Sequence, residues 1–244
     1  MLKSLAVVIP CYNESATLDE LVHRVLQAYT CGLELEVIIV DDDSVDTSYE
    51  IANKLAASDS RIRILKHAVN KGKGAAVRTA FEDTDADVVL IQDADLEYDP
   101  NEYNLLLKPI IDGYADVVYG SRFMGGKPHR ILFFWHTIGN KLLTFLSNMF
   151  TNLNLTDMET CYKMFRTEII QSITLKENRF GFEPEVTAKI AKLKDIRIYE
   201  IGISYYGRTY QEGKKINWKD GFWAIYCIIK YGLFAKGKSA KILI

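Results

Sequence analysis

The chain has 244 residues, 48% hydrophobic and 25% charged, with a formal net charge of −2. This suits one substantial globular core and excludes a disordered, fibrous or repeat protein, while the small, local basic excess argues against a nucleic-acid partner. Cys11, Cys31, Cys161 and Cys227 are scattered, without a C-x-x-C pair, and read as reduced thiols rather than a zinc or disulfide framework.

The first hundred residues alternate strand and helix patterns. Leu5–Pro10 reads as an apolar strand stopping at Pro10, and Ser15 is placed to cap a helix over Ala16–Tyr29. There Leu18, Leu21, Val22, Val25 and Leu26 recur at helical spacing. Strands follow at Glu36–Val40, Ile62–Lys66 and Asp87–Gln92, separated by helices at Tyr49–Ser58 and Gly74–Glu82. Short β-branched runs joined by single helices predict βαβ units and a mostly parallel sheet. Beyond residue 100 the pattern loosens. Asp116–Gly120 reads as a strand, Arg130–Phe150 as a long amphipathic region, Arg197–Tyr206 as strand-like, and Trp218–Phe234 as an apolar helix. No linker interrupts the chain, which predicts a single domain over 1–244.

The N-terminus runs straight into a strand pattern, so no signal peptide is expected. No stretch reaches the ~18–20 uninterrupted apolar residues of a spanning helix. Charge is unevenly shared: residues 1–100 hold 19 acidic and 9 basic side chains, residues 201–244 hold 2 and 8. This suggests a cation-binding half facing a half that handles phosphates or an anionic surface, against the plainer reading of a solvated acidic face and a Lys-rich tail.

In parallel sheets ligands bind beyond the carboxyl ends of the strands, so the segments there carry most of the chemistry. Asp93-Ala-Asp95 projects two carboxylates from a strand end, a donor set suited to Mg²⁺ or Mn²⁺ against phosphate oxygens, although a lone Asp-x-Asp also arises in ordinary acidic turns. Asp41, Asp42 and Asp43 repel one another, and either cap a helix or accept hydrogen bonds from a nucleobase or ribose. Asn70-Lys-Gly-Lys-Gly74 opens a helix with glycines and lysines suited to an anion, yet matches neither the P-loop nor the dinucleotide fingerprint. Gly120-Ser-Arg122 and Tyr206-Gly-Arg208 are basic, glycine-containing loops. Asp157, Glu159, Glu183 and Glu185 are acids for acid–base work, sugar hydroxyls or helix caps.

Taken in order, these segments resemble the family 2 glycosyltransferases, and among them the dolichyl- and polyprenyl-phosphate hexose synthases. The resemblance covers residues 4 to about 233 and rests on Val8-Ile-Pro-Cys-Tyr-Asn-Glu14, Val40-Asp-Asp-Asp-Ser44, Asn70 to Gly74, Asp93-Ala-Asp-Leu96, Gly120-Ser-Arg122, Asp157 to Lys163 and Tyr206-Gly-Arg208. It implies a GT-A fold, with a Rossmann-like, mostly parallel sheet flanked by helices. Residues 1–100 would form the nucleotide-binding half and 101–244 the acceptor-binding half, with amphipathic interface helices and a basic C-terminal segment.

By position, Pro10, Tyr12, Glu14, Asp42 and Lys73 would hold the nucleotide sugar. Asp93 and Asp95 would bind Mg²⁺ or Mn²⁺. Arg208 and Lys214 would meet the donor diphosphate, and Arg122, with Arg130 second, the lipid phosphate of the acceptor. Asp95, Arg122 and Arg208 would carry catalysis. Glu97 stands where some such synthases have a metal-binding glutamine, and has no assigned role. The expected activity is inverting transfer of a hexose, glucose from UDP-glucose by preference, onto a polyprenyl or dolichyl phosphate. The enzyme would lie peripherally on the cytosolic membrane face or depend on a membrane-protein partner. The alternatives are a transferase extending a saccharide hydroxyl, with Glu183 or Glu185 as base, and a non-catalytic nucleotide-sugar-binding protein.

Overall fold

Strands from both halves of the sequence build one sheet. The structure is a computed structural model that describes residues 2–131, 133–209 and 218–235. Among them β1 (Ser4–Cys11), β2 (Glu34–Asp41), β3 (Ile62–Lys66), β4 (Val88–Ile91), β5 (Val117–Ser121), β6 (Lys163–Arg166) and β7 (Ile198–Gly202) lie in the order β3-β2-β1-β4-β6-β5-β7. β1 pairs in parallel with β2 and β4, β2 with β3, and β5 with β7. Only β6 runs antiparallel, between β4 and β5.

The apolar runs behave as a doubly covered sheet requires. Leu5 to Ile9 of β1 and Val37 to Val40 of β2 are fully buried, each Val, Leu or Ile side chain among them stabilising by roughly 1.5–3 kcal/mol relative to exposure. Helices α1 (Leu18–Gln27), α2 (Ser48–Ser58) and α3 (Lys73–Asp83) connect the first four strands. α1 buries Leu18, Leu21, Val22 and Val25, the stripe its sequence spacing predicts.

The differences from the sequence reading have local causes. Thr17, not Ser15, stands at the N-cap of α1. Its hydroxyl donates to the Ala94 carbonyl at 2.7 Å, while the Ser15 N–H donates to Asp46. Pro10 does not end β1, because its missing N–H is no obstacle there and Cys11 still pairs with Asp41. The second half holds more order than its pattern shows. A single 3₁₀ turn (Pro100–Glu102) leads into α4 (Tyr103–Ile111), and α6 (Thr167–Ser172) and α7 (Phe182–Ile190) follow β6.

Two helices differ from the rest. α5 (Phe134–Thr151) buries only Thr144 and Ser147 and leaves Phe134, Trp135, Ile138, Leu142, Phe145 and Met149 exposed. α8 (Trp218–Phe234) buries Ala224, Cys227, Ile228 and Tyr231 and exposes Phe222, Trp223, Tyr226, Ile229, Leu233 and Phe234. Both stripes recur at helical spacing, so each helix turns one apolar face outward. α5 and α8 pack together, and at Gly232 a Cβ would come within 2.6 Å of Phe150 Cβ. No described helix is long and apolar enough to cross a membrane.

Candidate active site

The chain passes from β1 outward to β2 and β3, then returns to β4 on the other side of β1. That reversal opens a crevice at the carboxyl ends of β1 and β4. The antiparallel β6 then sets β5 parallel to β4, bringing the end of β5 to the same edge. The sequence-predicted segments at 10–14, 41–44, 93–97 and 121–122 therefore share one side of the sheet.

Gln92 fixes the end of β4. It is fully buried; its Oε1 accepts from the Tyr103 hydroxyl at 2.8 Å and the Tyr162 hydroxyl at 2.6 Å, and its Nε2 donates to the Asp93 carbonyl at 3.0 Å. Beyond it Leu96 adopts φ 61°, as Asn13 (54°) and Asp43 (62°) do at the ends of β1 and β2. Non-glycine residues rarely take this left-handed conformation, and such strain concentrates at working sites.

Each carboxylate of the Asp-x-Asp pair faces a cation from elsewhere in the chain. Lys73 Nζ lies 2.8 Å from Asp93 Oδ1 and 3.5 Å from Glu183 Oε1. Burial raises the Asp93 carboxyl, but the Lys73 ammonium together with Cys161 and Lys163 holds it below its ordinary range. Arg208 Nη2 donates to Asp95 Oδ2 at 2.7 Å, and Nη1 lies 3.6 Å from Glu14 Oε2. Burial, with Asp93 and Glu97 alongside, still pushes Asp95 up to about 7. Asp93 thus holds its charge readily, while a second negative charge at Asp95 is resisted and only partly offset by Arg208.

A second arginine is held differently. Arg122 donates to Asp157 through Nε (2.7 Å) and Nη2 (2.8 Å), and through its backbone N–H (3.0 Å). Asp157 is fully buried, and the guanidinium lies over the Tyr205 ring at 5.1 Å. Glu159 lies in the field of both Arg122 and Glu183; burial first and Glu183 second push it up to about 8. Lys163, fully buried, donates to the Thr160 carbonyl.

The remaining candidates fall as follows. Asp42 is spent inside the chain: Oδ1 accepts from His67 Nδ1 (2.6 Å) and the Lys71 N–H (2.9 Å), and Oδ2 from the Gly72 N–H (2.6 Å). It ties the loop before α3, whereas Asp41 keeps one buried oxygen unpartnered. Tyr12 is exposed at the end of β1, with Pro10 and Glu14 half-buried beside it. Arg130 is exposed and donates to the Gly207 carbonyl at 3.1 Å, next to the Arg208 segment. Glu185 lies outside the site, its carboxylate accepting from the Lys176 and Glu177 N–H groups and from Lys189. Lys214 lies outside the described residues.

Sequence reasoning missed Tyr98 and Tyr205. Tyr98 stacks on Tyr162 with ring centroids 4.7 Å apart and meets Tyr205 at 5.4 Å. Partners this far apart in the chain leave no local signal.

The crevice, its two-carboxylate strand end and the mixed sheet define the GT-A class of nucleotide-sugar folds. The sequence profile of glycosyl transferase family 2 matches residues 6–174, and the chain belongs to that family. It is 29% identical over 215 residues to a dolichol-phosphate mannosyltransferase of Pyrococcus furiosus, covering 87% of this chain and 60% of that one. It is also 29% identical to an undecaprenyl-phosphate mannosyltransferase of Micrococcus luteus, covering 94% of each. The chain thus spans about three-fifths of the Pyrococcus relative and nearly all of the Micrococcus one. Among solved structures, glucosyl-3-phosphoglycerate synthase from Mycobacterium tuberculosis, in complex with Mn²⁺, uridine diphosphate and phosphoglyceric acid, superposes with a TM-score of 0.73. That match covers 94% of this chain and 78% of the synthase at 18% identity, a likeness of fold.

Proposed function

We propose that this chain is an inverting transferase that moves a hexose from a nucleoside-diphosphate sugar onto a polyprenyl phosphate at a membrane surface. One observation carries the reading. The Asp93/Asp95 pair, with Lys73 and Arg208 against it, shares a sheet edge with a separate guanidinium, Arg122, pre-oriented by Asp157. One end suits a donor diphosphate with its cation; the other suits a second phosphate. The names of the Pyrococcus and Micrococcus relatives support the acceptor class.

The donor set fits Mg²⁺ or Mn²⁺. Both are hard cations that take one or two carboxylates and complete their shell with substrate phosphate oxygens. Among the described residues no three His, Cys, Asp or Glu side chains gather to hold an ion alone. Asp93 and Asp95 would hold the cation, whose chemistry is to offset charge growing on the departing nucleoside diphosphate.

The chain's own residues supply the rest. Pro10, Tyr12 and Glu14 border the nucleoside side of the crevice. Lys73 keeps Asp93 ionised and oriented, and Arg208, with Lys214, adds positive charge for the diphosphate. Arg122 takes the acceptor phosphate in a bidentate geometry that a lysine would not offer, and Arg130 stands further out along the same approach. A phosphate acceptor is already ionised at neutral pH, so attack needs positioning and charge stabilisation rather than a strong base. A saccharide hydroxyl would need a carboxylate base. Glu185 is consumed by its loop, and Glu183 is turned to Lys73.

The apolar faces of α5 and α8 suit an interfacial setting. Contiguous exposed apolar surface of this kind marks membrane or protein contact, and helices too short or too polar to span can lie in the interface. The preference for glucose rests on residues 206–216, most of which lie outside the described residues, and both relatives are named for mannose. The test therefore runs UDP-glucose and GDP-mannose in parallel, each radiolabelled, with polyprenyl phosphate and Mn²⁺ or Mg²⁺. Label is expected in the organic phase from one donor. Label that stays aqueous with both donors, while nucleotide binds, would overturn the lipid-phosphate acceptor.

A further inference from the structure

Glu97 stands two residues past the Asp-x-Asp pair; its backbone N–H donates to Asp95 Oδ1 at 3.2 Å, while its carbonyl and carboxylate turn to the segment bearing Arg208. Its backbone carbonyl accepts from the Tyr206 N–H at 2.9 Å. Its carboxylate accepts from the Tyr205 hydroxyl through Oε2 and from the Arg208 N–H through Oε1, each at 2.7 Å. Oε1 also lies 3.5 Å from Arg208 Nε. One buried residue thus grips positions 205, 206 and 208. Upstream of Arg208 the segment is also tied by Ser204 N–H to Glu102 Oε2 at 2.9 Å, Tyr205 N–H to the Pro128 carbonyl at 3.1 Å, Arg130 N–H to the Tyr205 carbonyl at 2.8 Å and Arg130 Nη1 to the Gly207 carbonyl at 3.1 Å.

We propose that Glu97 is a positioning residue that acts through Arg208 and is not itself a ligand of the cation. Both its oxygens already accept from neutral donors; a glutamine could keep the Arg208 N–H on its carbonyl oxygen only by turning its NH₂ to the Tyr205 hydroxyl, and would lose the negative charge that faces the Arg208 guanidinium. The clamp delivers the guanidinium to Asp95 at 2.7 Å. There the Arg208 Nε remains a buried donor without a hydrogen bond, so this resting seat is incompletely satisfied. Held by its backbone, the side chain is placed to leave Asp95 when a divalent cation takes that carboxylate, and to turn to the donor's diphosphate. This deepens the nucleotide-sugar reading above and rests on it.

The test is binding, not turnover. Calorimetric titration of the full chain with UDP, and separately GDP, in excess Mn²⁺ compares wild type with Glu97→Gln, Glu97→Ala, Arg208→Ala and the Glu97→Ala/Arg208→Ala double variant. Circular dichroism checks each fold. Both Glu97 variants are expected to weaken nucleotide binding about tenfold, the scale of one charge-assisted contact. The double variant should bind no more weakly than Arg208→Ala, and the Mn²⁺ concentration for half-saturation at fixed nucleotide should be unchanged in Glu97→Gln. Additive losses, or a Mn²⁺ requirement raised as far as in Asp95→Asn, would overturn the proposal and make Glu97 a ligand. Unchanged nucleotide binding in both Glu97 variants would overturn the clamp alone. Wild-type protein that binds neither nucleotide would instead overturn the donor reading beneath it.

Discussion

Two arginines meet two aspartates at the same sheet edge, and they are built for different work. Arg122 spends Nε, Nη2 and its backbone N–H on one fully buried carboxylate, with an aromatic ring beneath. Arg208 gives Asp95 one hydrogen bond, divides its remaining charge between Glu14 and Glu97, and leaves Nε without a hydrogen bond. The first is a fixed fork whose geometry precedes any ligand. The second, on the proposed function, is an exchangeable cation resting on a carboxylate that would also hold the divalent ion. The difference teaches that an ion pair's geometry, more than its presence, separates scaffolding from chemistry.

The sharpest way to break this comparison is to remove the carboxylate at the exchangeable end. Asp95→Asn should lower transfer by about 10³-fold or more, the scale of losing a preorganised charge-stabilising group. Its melting temperature should hold, because the change relieves repulsion from Asp93 and Glu97. Wild-type turnover by this variant would remove Asp95 from the cation site.

Breaking the fixed end should show first as lost stability. Asp157→Asn strips the partner from a largely buried guanidinium, and unpairing a buried ion pair costs about 3–5 kcal/mol. Urea unfolding should report a loss of that order, and the acceptor KM should rise. An unchanged midpoint would mean that the Arg122–Asp157 fork holds nothing in place.

Much of this was legible in the sequence, though unevenly. The βαβ half announced itself because Leu5, Val37 and Val88 begin short apolar runs that only a doubly covered sheet satisfies. The segments after those runs are therefore legible from the sequence alone. β6 was not found: Lys163–Arg166 is four residues long with a cation at each end, and its place between β4 and β5 comes from tertiary pairing. Asp157 was noticed as an acid but not as the clamp on Arg122, because its partner lies thirty-five residues earlier. Glu97 drew attention only as a departure from a family pattern; its hold on Tyr205 and Arg208 crosses more than a hundred residues. In α5, the spacing of Phe134, Ile138, Leu142 and Phe145 announced an apolar stripe, and only the structure shows that the stripe faces outward.

The comparison sharpens with Arg122→Ala, which should raise the acceptor KM about 10–100-fold, as expected for a lost bidentate phosphate contact, and move the donor KM far less. Equal changes in both constants would place Arg122 on the donor side. The smallest effect concerns the outward helix faces. Trp135→Ser with Phe145→Ser should weaken co-sedimentation with anionic lipid vesicles several-fold, given about 25 cal/mol per Å² of apolar surface withdrawn from water. Nucleotide binding in solution should be unaffected. Undiminished sedimentation would free these faces for a protein partner.

In the proposed reaction the new bond joins the sugar's anomeric carbon to a phosphate oxygen with inversion, which NMR of the isolated product reads out. From an α-linked nucleotide sugar, the account predicts a ³¹P resonance of a phosphodiester and a β-configured anomeric proton. A retained phosphate monoester beside a new glycosidic linkage, or an α-configured product, would contradict it.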